Sequence, residues 1–284
     1  MARRFVTFMM QSAQRTLGGT QVVRTVVITG STRGIGYGLA DELLKLGCQV
    51  VVSGREQANV DRAVAELAAR YDTERVWGLP CNITHAGQVQ ALWDGARQRF
   101  GHVDIWINNA GASTPLKPVW EQDAEAMRGV VETNLVGALN GARAALRGMM
   151  AQGSGSLYNL EGFGSDGRIL AGMAPYGLTK YAMAYLTDAL VKETKGTGIV
   201  VGALRPGMVM TRLITDQYEG KPEEWERAKG IFNVLADRVE TVTPYLARQV
   251  LLNTRAGVRI RWLSGAQIAL RFLTAPFHKR HVVD

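Results

Sequence analysis

Short apolar segments with the length of buried strands alternate with segments of helical periodicity along most of the chain. The first pair joins RTVVITG, residues 24–30, to a helical segment in which Leu39, Leu43 and Leu46 recur on one face. Continuous apolar strands separated by helices are typical of a parallel sheet that is covered on both faces. Because such crossovers are right-handed, the sequence predicts an α/β, doubly wound fold.

The same alternation continues, and it predicts a single domain. Further strands are predicted in CQVVVSGR, RVWGLPCN, VDIWINNAG, GSLYNLEG and IVVGALRPG. The long helical segment over residues 121–150 is expected to break near Gly129. We expect a basic N-terminal arm over residues 1–20, then one domain over residues 21–284 that ends in a basic tail over residues 255–284.

The formal net charge of +8 permits a nucleic-acid partner, but the basic residues are scattered rather than interleaved with aromatic residues in blocks. The C-terminal stretch, residues 255–284, is the exception, with six Arg or Lys and one acid. Anionic cofactors, substrates and membrane surfaces explain that excess equally well. We therefore predict a hydrophobic small-molecule substrate and no nucleic acid. Cys48 and Cys81 lie in apolar strand contexts and are assigned to core packing. No Cys/His cluster has metal-ligand spacing, so no metal is predicted.

No segment approaches the ~20 apolar residues that span a bilayer. The N-terminal arm carries a short apolar patch, residues 5–10, without a convincing signal-peptide cleavage site after it. It is interpreted either as a loosely ordered arm or as a segment that docks on a membrane surface or a partner. The predicted location is cytoplasmic, with peripheral membrane contact as an open alternative.

The segment TGSTRGIG, residues 29–36, follows a predicted strand and opens a predicted helix, which is the context of a dinucleotide-binding turn. Gly30 allows a sharp turn, Gly34 lets the backbone approach a diphosphate, and Gly36 lets the helix pack closely on the strand. The free amides of the helix N-terminus favour phosphate. The predicted cofactor contacts in this turn are Gly30, Ser31, Thr32, Arg33, Gly34, Ile35 and Gly36.

The second strand ends at VVSGRE, without the acidic residue that bonds a ribose 2′-hydroxyl in many NAD-binding folds. Arg55 follows instead, and Arg33 lies in the glycine turn. Two arginines near one ribose would hold a 2′-phosphate by charge-assisted hydrogen bonds. We therefore favour NADPH over NADH, against the alternative that both are solvated surface residues beside Glu56.

Tyr176 and Lys180 stand four residues apart on a predicted helix and so share one face. A lysine close to a phenol favours the phenolate and lowers its pKa. Such a tyrosine can give a proton to a carbonyl oxygen, although a plain surface pair is the alternative. Asn134 is an amide within an apolar helix and must find partners.

The segments TGSTRGIG, NNAG (residues 108–111), YGLTK and RPGMVMT (residues 205–211), together with Asn134, occur in the order and spacing of one family. Over about residues 25–211 the chain resembles the short-chain dehydrogenase/reductases. We expect a homo-oligomer, either dimer or tetramer. The resemblance implies a Rossmann fold with a seven-stranded, mainly parallel sheet and a nicotinamide cofactor. It also implies that Tyr176 is the proton donor, Lys180 holds the ribose and tunes Tyr176, and Asn134 anchors a water relay. The further cofactor contacts it implies are Asn82, Ile83, Asn109, Ala110, Gly111, Tyr176, Lys180, Pro206, Gly207, Val209 and Thr211.

The departure from the family is its serine, which is replaced here by Gly162 within Glu161, Gly162 and Phe163, the predicted substrate pocket. The stretch YNLEGFGSDGR and the Arg/aromatic-rich C-terminal tail resemble the chlorophyll b reductase subgroup. That resemblance implies NAD(P)H-dependent reduction of the C7 formyl group of chlorophyll(ide) b. A general reductase of hydrophobic ketones, aldehydes or lipids is the alternative, followed by a catalytically silent NADP(H)-binding protein.

The missing serine raises the question of how the carbonyl is held. Gly162 is interpreted as room for a flat, wide substrate ring. Glu161 either turns inward and hydrogen-bonds the substrate, or points away and braces the loop. A carboxylate beside a developing alkoxide would be repulsive unless it were protonated, which favours bracing.

Overall fold

The computed structural model describes residues 16–17, 20–21, 23–277 and 280–283. Most of the predicted basic arm, residues 1–20, lies outside the described residues. At the end of this arm, the backbone of Thr16–Leu17 pairs antiparallel with that of Thr20–Gln21.

Seven strands form one parallel sheet, and the predicted doubly wound α/β fold is confirmed. The order across the sheet is β7-β6-β5-β4-β1-β2-β3. The strands are β1 (Thr25–Ile28), β2 (Gln49–Gly54), β3 (Val76–Pro80), β4 (Ile105–Asn108), β5 (Gly155–Leu160), β6 (Ile199–Arg205) and β7 (Arg259–Arg261). The strand order reverses between β1 and β4, and ligands bind at such switch points.

Helices cover both faces of the sheet. They are α1 (Gly34–Lys45), α2 (Gln57–Ala68), α3 (Ala86–Phe100), α4 (Ala124–Val131), α5 (Gly137–Gln152), α6 (Ala174–Glu193), α7 (Arg212–Thr215), α8 (Pro222–Leu235), α9 (Val239–Leu252) and α10 (Gly265–Thr274). Among the described residues, none of these helices combines the length and apolarity that a membrane crossing requires.

Alternate residues of each strand enter two cores, which explains why the strands are apolar throughout. Val26 and Ile28 pack into the core beneath α1 and α9, whereas Val27 packs into the core beneath α3 and α5. Cys48 lies in the first core and Cys81 in the second, both as free thiols. Burial raises the pKa of each thiol to about 11, so both remain protonated and inert.

The long helical segment is interrupted by a π-helical turn, Glu132–Val136, rather than near Gly129 as predicted. Gly129 lies inside α4, and a β-carbon there would meet nothing within 4 Å, so no close contact calls for a break at that point. The π-turn instead contains Asn134, whose buried side chain makes contacts outside the helix. Single π-turns inside helices are frequent at functional sites.

The C-terminal tail is fastened to the segment that follows β6. Met208–Val209 pairs in parallel with Ala236–Asp237. The buried carboxylate of Asp237 accepts hydrogen bonds from Trp262 Nε1 at 2.7 Å and pairs with Arg271 at 2.9 Å and with Arg280. Two of the tail's basic side chains are therefore paired within the domain, and the tail supports the 208–211 segment.

Candidate active site

The glycine turn between β1 and α1 has the geometry of a phosphate cradle. Gly30 and Gly34 adopt φ values of +64° and +59°, which other residues rarely adopt. A β-carbon on Gly36 would lie 2.4 Å from Asn109 Nδ2 and 2.6 Å from the Gly30 carbonyl oxygen. The turn thus closes tightly at the N-terminus of α1, where free amides favour an anion. These residues fit the diphosphate of a nicotinamide cofactor.

Ser31 and Thr32 join this turn to the end of β2. The fully buried Ser31 hydroxyl donates to Ile28 O at 2.7 Å and accepts from Ser53 N at 3.0 Å. It therefore pins two strand ends together and faces the protein interior rather than the cradle. A β-carbon on Gly54 would lie 2.7 Å from Thr32 Cγ2, which shows how closely the turn and the strand end pack.

Arg33 and Arg55 consequently come from adjoining strand ends. Each lies two residues beyond Ser31 or Ser53, whose backbones are joined by a 2.8 Å hydrogen bond. Both arginines are exposed, and neither forms an ion pair with another described residue. Two unpaired guanidiniums at this position could hold a phosphate ester.

The two asparagine side chains of NNAG form hydrogen bonds to neighbouring strand ends. Asn109 Nδ2 donates to Thr29 O at 2.8 Å and to Gly30 O at 2.9 Å. Asn108 Nδ2 donates to Asn159 Oδ1 at 2.9 Å and so ties β4 to β5. Ala110 contacts the glycine turn, since a β-carbon on Gly30 would lie 2.8 Å from Ala110 Cα.

Asn82 and Ile83 lie at the entrance to α3. Asn82 Oδ1 accepts hydrogen bonds from the backbone and hydroxyl of Thr84, at 3.2 and 3.0 Å. Ile83 is buried against α5, where a β-carbon on Gly137 would lie 2.3 Å from Ile83 Cδ1. The Asn82 oxygen therefore closes a turn, and the Ile83 side chain serves packing.

Asn134 ties three elements together. Its Oδ1 accepts from Ala112 N at 2.8 Å, while its Nδ2 donates to Ala112 O and to Thr179 Oγ1, both at 2.9 Å. Thr179 in turn donates to the Tyr176 carbonyl oxygen at 2.7 Å. Asn134 therefore links the loop after β4 to the first turns of α6.

Tyr176 and Lys180 are both buried on α6, with Lys180 Nζ 5.7 Å from the centre of the Tyr176 ring. Lys180 Nζ donates to the Leu160 carbonyl oxygen at 2.9 Å. A β-carbon on Gly111 would lie 3.8 Å from Lys180 Nζ, so this pair borders the NNAG loop. The two residues therefore stand between the glycine-rich loops and the end of β5.

Burial favours the neutral form of both groups and shifts the two pKa values in opposite directions. It raises the pKa of Tyr176 to about 12, which is opposite to the lowering expected from Lys180. Burial lowers the pKa of Lys180 to about 8, and the Glu161 carboxylate opposes that shift. At neutral pH the site holds a protonated phenol beside a lysine that is mostly cationic.

Gly162 lies directly against the Tyr176 hydroxyl. A β-carbon there would lie 2.5 Å from Tyr176 Oη and 3.2 Å from Lys180 Cε. The space that Gly162 leaves is therefore required first by Tyr176 itself, which differs from the interpretation of the glycine as room for a flat substrate. Ser165, the nearest serine beyond it, donates its hydroxyl to Gly162 O at 2.7 Å.

Glu161 points away from Tyr176, as expected if it braces the loop rather than hydrogen-bonding the substrate. Its completely buried carboxylate pairs with Arg205 of β6 and with Arg259 of β7, the latter at 3.1 Å. Phe163, by contrast, is exposed.

The segment RPGMVMT closes the other side of the glycine turn. The methyl group of Thr211 would lie 3.4 Å from a β-carbon on Gly34, so the two predicted cofactor segments meet. Gly207 adopts a φ of +74°, and Val209 is buried within the strand pair described above. Pro206 is also buried.

Sequence reasoning missed three groups in this region. Arg205 opens the RPGMVMT segment and Arg259 lies in the basic tail, but nothing in the sequence pairs them with Glu161. Thr114 Oγ1 is the one buried side-chain oxygen or nitrogen without a hydrogen-bond partner among the described residues. No metal-binding cluster is found in the described part of the chain.

Comparison with known proteins agrees with this geometry. The family model for short chain dehydrogenases matches residues 24–222. Chlorophyll(ide) b reductase NOL of Oryza sativa subsp. japonica is 36% identical over 258 residues, covering 88% of this chain and 74% of that protein. The NOL reductase of Arabidopsis thaliana is 37% identical over 249 residues, covering 84% and 70%.

A crystal structure of actinorhodin polyketide ketoreductase with NADPH superimposes with a TM-score of 0.73 at 26% identity, covering 84% of this chain and 96% of that one. The shared fold and the glycine cradle support binding of a nicotinamide cofactor. The chain therefore belongs to the short-chain dehydrogenase/reductase family and is an NAD(P)H-dependent oxidoreductase.

Proposed function

We propose that this enzyme reduces the C7 formyl group of chlorophyll(ide) b to a hydroxymethyl group. The observation that carries the proposal is the similarity to the two plant NOL reductases, which covers 84–88% of the chain. These alignments are longer than the 24–222 segment that the general family model matches.

The proposed proton donor is Tyr176. The nicotinamide cofactor supplies the hydride, and the glycine turn and the 205–211 segment would hold it. Because burial raises the pKa of Tyr176 to about 12, the phenol carries its proton throughout the neutral range. The neighbouring Lys180 cation stabilises the phenolate that remains after proton transfer. Asn134 holds the start of α6 through Thr179 and so orients both side chains.

The absence of a serine donor must be offset elsewhere. Loss of one oxyanion donor typically costs about 3–4 kcal/mol of transition-state stabilisation. Binding surface on a large substrate can supply the orientation that such a donor would give. Exposed apolar side chains on the segments beside the site suit this role: Trp120, Phe163, Ile169 and Leu170. Two of these segments meet where a β-carbon on Gly172 would lie 3.2 Å from Lys117 N.

The function is tested by anaerobic incubation with chlorophyllide b and NADPH, followed by pigment chromatography. The expected product is 7-hydroxymethyl chlorophyllide a, formed in proportion to the NADPH oxidised. A panel of small hydrophobic aldehydes and ketones, assayed in parallel, identifies the general reductase. Turnover of the panel without conversion of the pigment would exclude our assignment, and cofactor binding without any turnover would favour the silent protein.

We further propose NADPH as the preferred cofactor, because Arg33 and Arg55 stand at adjoining strand ends without an ion-pair partner in the described part of the chain. Arg55→Ala is expected to weaken NADPH binding at least about tenfold, the loss of one charge-assisted pair, and NADH binding little. Titration of tryptophan fluorescence measures both affinities. Arg62→Ala removes the same charge from α2 and is the matched control. Equal losses for the two cofactors in Arg55→Ala would contradict the 2′-phosphate assignment.

A homo-oligomer remains part of the proposal. Large apolar side chains are exposed along α5 and α6: Leu139, Leu178, Tyr181 and Tyr185. Such a surface favours a protein interface. Sedimentation velocity is expected to give a dimer or tetramer, and Leu178→Glu should shift it toward the monomer.

We also propose that the protein is cytoplasmic and contacts membranes peripherally through α10. Its outer surface exposes Leu270, Phe272 and Leu273, while Arg271, its only charged residue, pairs with Asp237. Co-sedimentation with anionic vesicles tests this, and Leu273→Glu should reduce the bound fraction.

A further inference from the structure

Glu161 is a completely buried carboxylate that lies outside the catalytic pair but adjoins it in the chain. It follows Leu160, whose carbonyl oxygen binds Lys180 Nζ at 2.9 Å, and precedes Gly162, which lies against the Tyr176 hydroxyl. Its own backbone N donates to Leu204 O at 2.9 Å. The residue therefore occupies the strand end on which both catalytic side chains rest.

A buried carboxylate is stable only when its charge is compensated and its oxygens are bonded. Glu161 meets both requirements on the side away from Tyr176. Arg205 Nε binds one carboxylate oxygen, and Arg259 Nε binds the other at 3.1 Å. Arg259 also pairs with Asp188 at 2.8 Å, but the Asp188 side chain is 57% exposed.

Removal of the Glu161 charge would leave an excess of cations behind the active site. The charged groups that face this point are Arg205 from β6, Arg259 from β7, and Lys180 and Asp188 from α6. Without the carboxylate, three cations would share one solvent-exposed anion. Lys180 is the only one of the three that can release its proton near neutral pH.

We propose that Glu161 is a positioning residue that keeps Lys180 cationic by offsetting part of the positive charge of Arg205 and Arg259 behind the active site. The inference rests on the proposed role of Lys180 beside Tyr176. In this arrangement the acidic residue before Gly162 acts from the far side of the strand, through charge balance, and touches neither carbonyl nor cofactor.

Direct titration of Lys180 tests the proposal without any substrate. Lysine is labelled with ¹³C at Cε, the Lys180 resonance is assigned from the Lys180→Arg variant, and its pH midpoint is measured by NMR. Burial already lowers the pKa of Lys180 to about 8. Glu161→Gln is expected to move the midpoint to lower pH by about one unit, because the arginine charges are then uncompensated.

Arg259→Gln is expected to shift the Lys180 midpoint in the opposite direction. It removes a cation and leaves the carboxylate less neutralised, so the Lys180 midpoint should rise. The double variant Glu161→Gln/Arg259→Gln should return toward the wild-type midpoint, which a loss of rigidity alone would not produce. Asp188→Asn is the matched control, and its shift should be small because the Asp188 charge is screened by solvent.

The same order of pH midpoints among the variants is expected in kinetics with any carbonyl compound that the wild type reduces. The alkaline limb of kcat/KM should fall to lower pH in Glu161→Gln, rise in Arg259→Gln and recover in the double variant. Midpoints that coincide in all variants would overturn the proposal, as would a Glu161→Gln shift that the double variant retains. If Glu161→Gln does not fold, the rise in Arg259→Gln decides alone. Failure to reduce chlorophyllide b would leave the NMR result unaffected.

Discussion

Tyr176→Phe is expected to lower turnover by about 10²–10⁴-fold, the usual contribution of a positioned proton donor, while nicotinamide cofactor binding persists. The change removes one oxygen and retains the ring, its burial and the Lys180 contact. Two hydroxyls that adjoin this pair are already engaged: Ser165 donates to Gly162 O and Thr179 to Tyr176 O. Glu161 is committed to two arginines.

The measurement is NADPH oxidation with the pigment and with a small aldehyde, alongside NADPH affinity by fluorescence. Tyr185→Phe, on the same helix but 76% exposed, is the matched control and should retain full activity. Turnover of Tyr176→Phe within tenfold of the wild type would mean that water or another group supplies the proton.

The fold could be predicted from local patterns because each strand and helix carries its own signal. Both faces of β1 carry buried apolar side chains, those of Val26, Val27 and Ile28. Only a sheet that is covered on both faces requires this pattern. The glycine turn was equally local, since Gly30 and Gly34 need positive φ within eight residues of chain. Order along the chain then determined which loops meet at the carboxyl edge.

The parts that could not be predicted depend on contacts between residues far apart in sequence. Glu161 and Arg259 are 98 positions apart, and no periodicity pairs them. The basic tail suggested an anionic partner, yet Arg271 and Arg280 are bound to Asp237 of the same chain. The pKa of Tyr176 followed the same rule, because it is raised by burial, which the sequence does not give.

Gly162 shows the same limit at atomic scale. The sequence indicates that the family serine is missing but not what occupies its place. In the structure the Tyr176 hydroxyl lies 2.5 Å from where a β-carbon would stand, so any side chain at 162 must displace the Tyr176 phenol. The glycine and the position of Tyr176 therefore belong together.

Gly162→Ser is accordingly expected to reduce turnover on chlorophyllide b and on a small aromatic aldehyde alike. Overpacking of a buried site costs about 1–3 kcal/mol, and if this falls on the transition state it lowers kcat/KM by roughly 5- to 150-fold. Gly162→Ala adds the same β-carbon without a hydroxyl and separates bulk from hydrogen bonding. Gly177→Ala is the matched control, because a β-carbon there meets nothing within 4 Å. Equal losses in the alanine and serine variants would assign the effect to displacement of Tyr176. A serine variant that exceeds the wild type on the pigment would show instead that the site only lacked a donor, and that Tyr176 can yield the space that Gly162 now leaves to it.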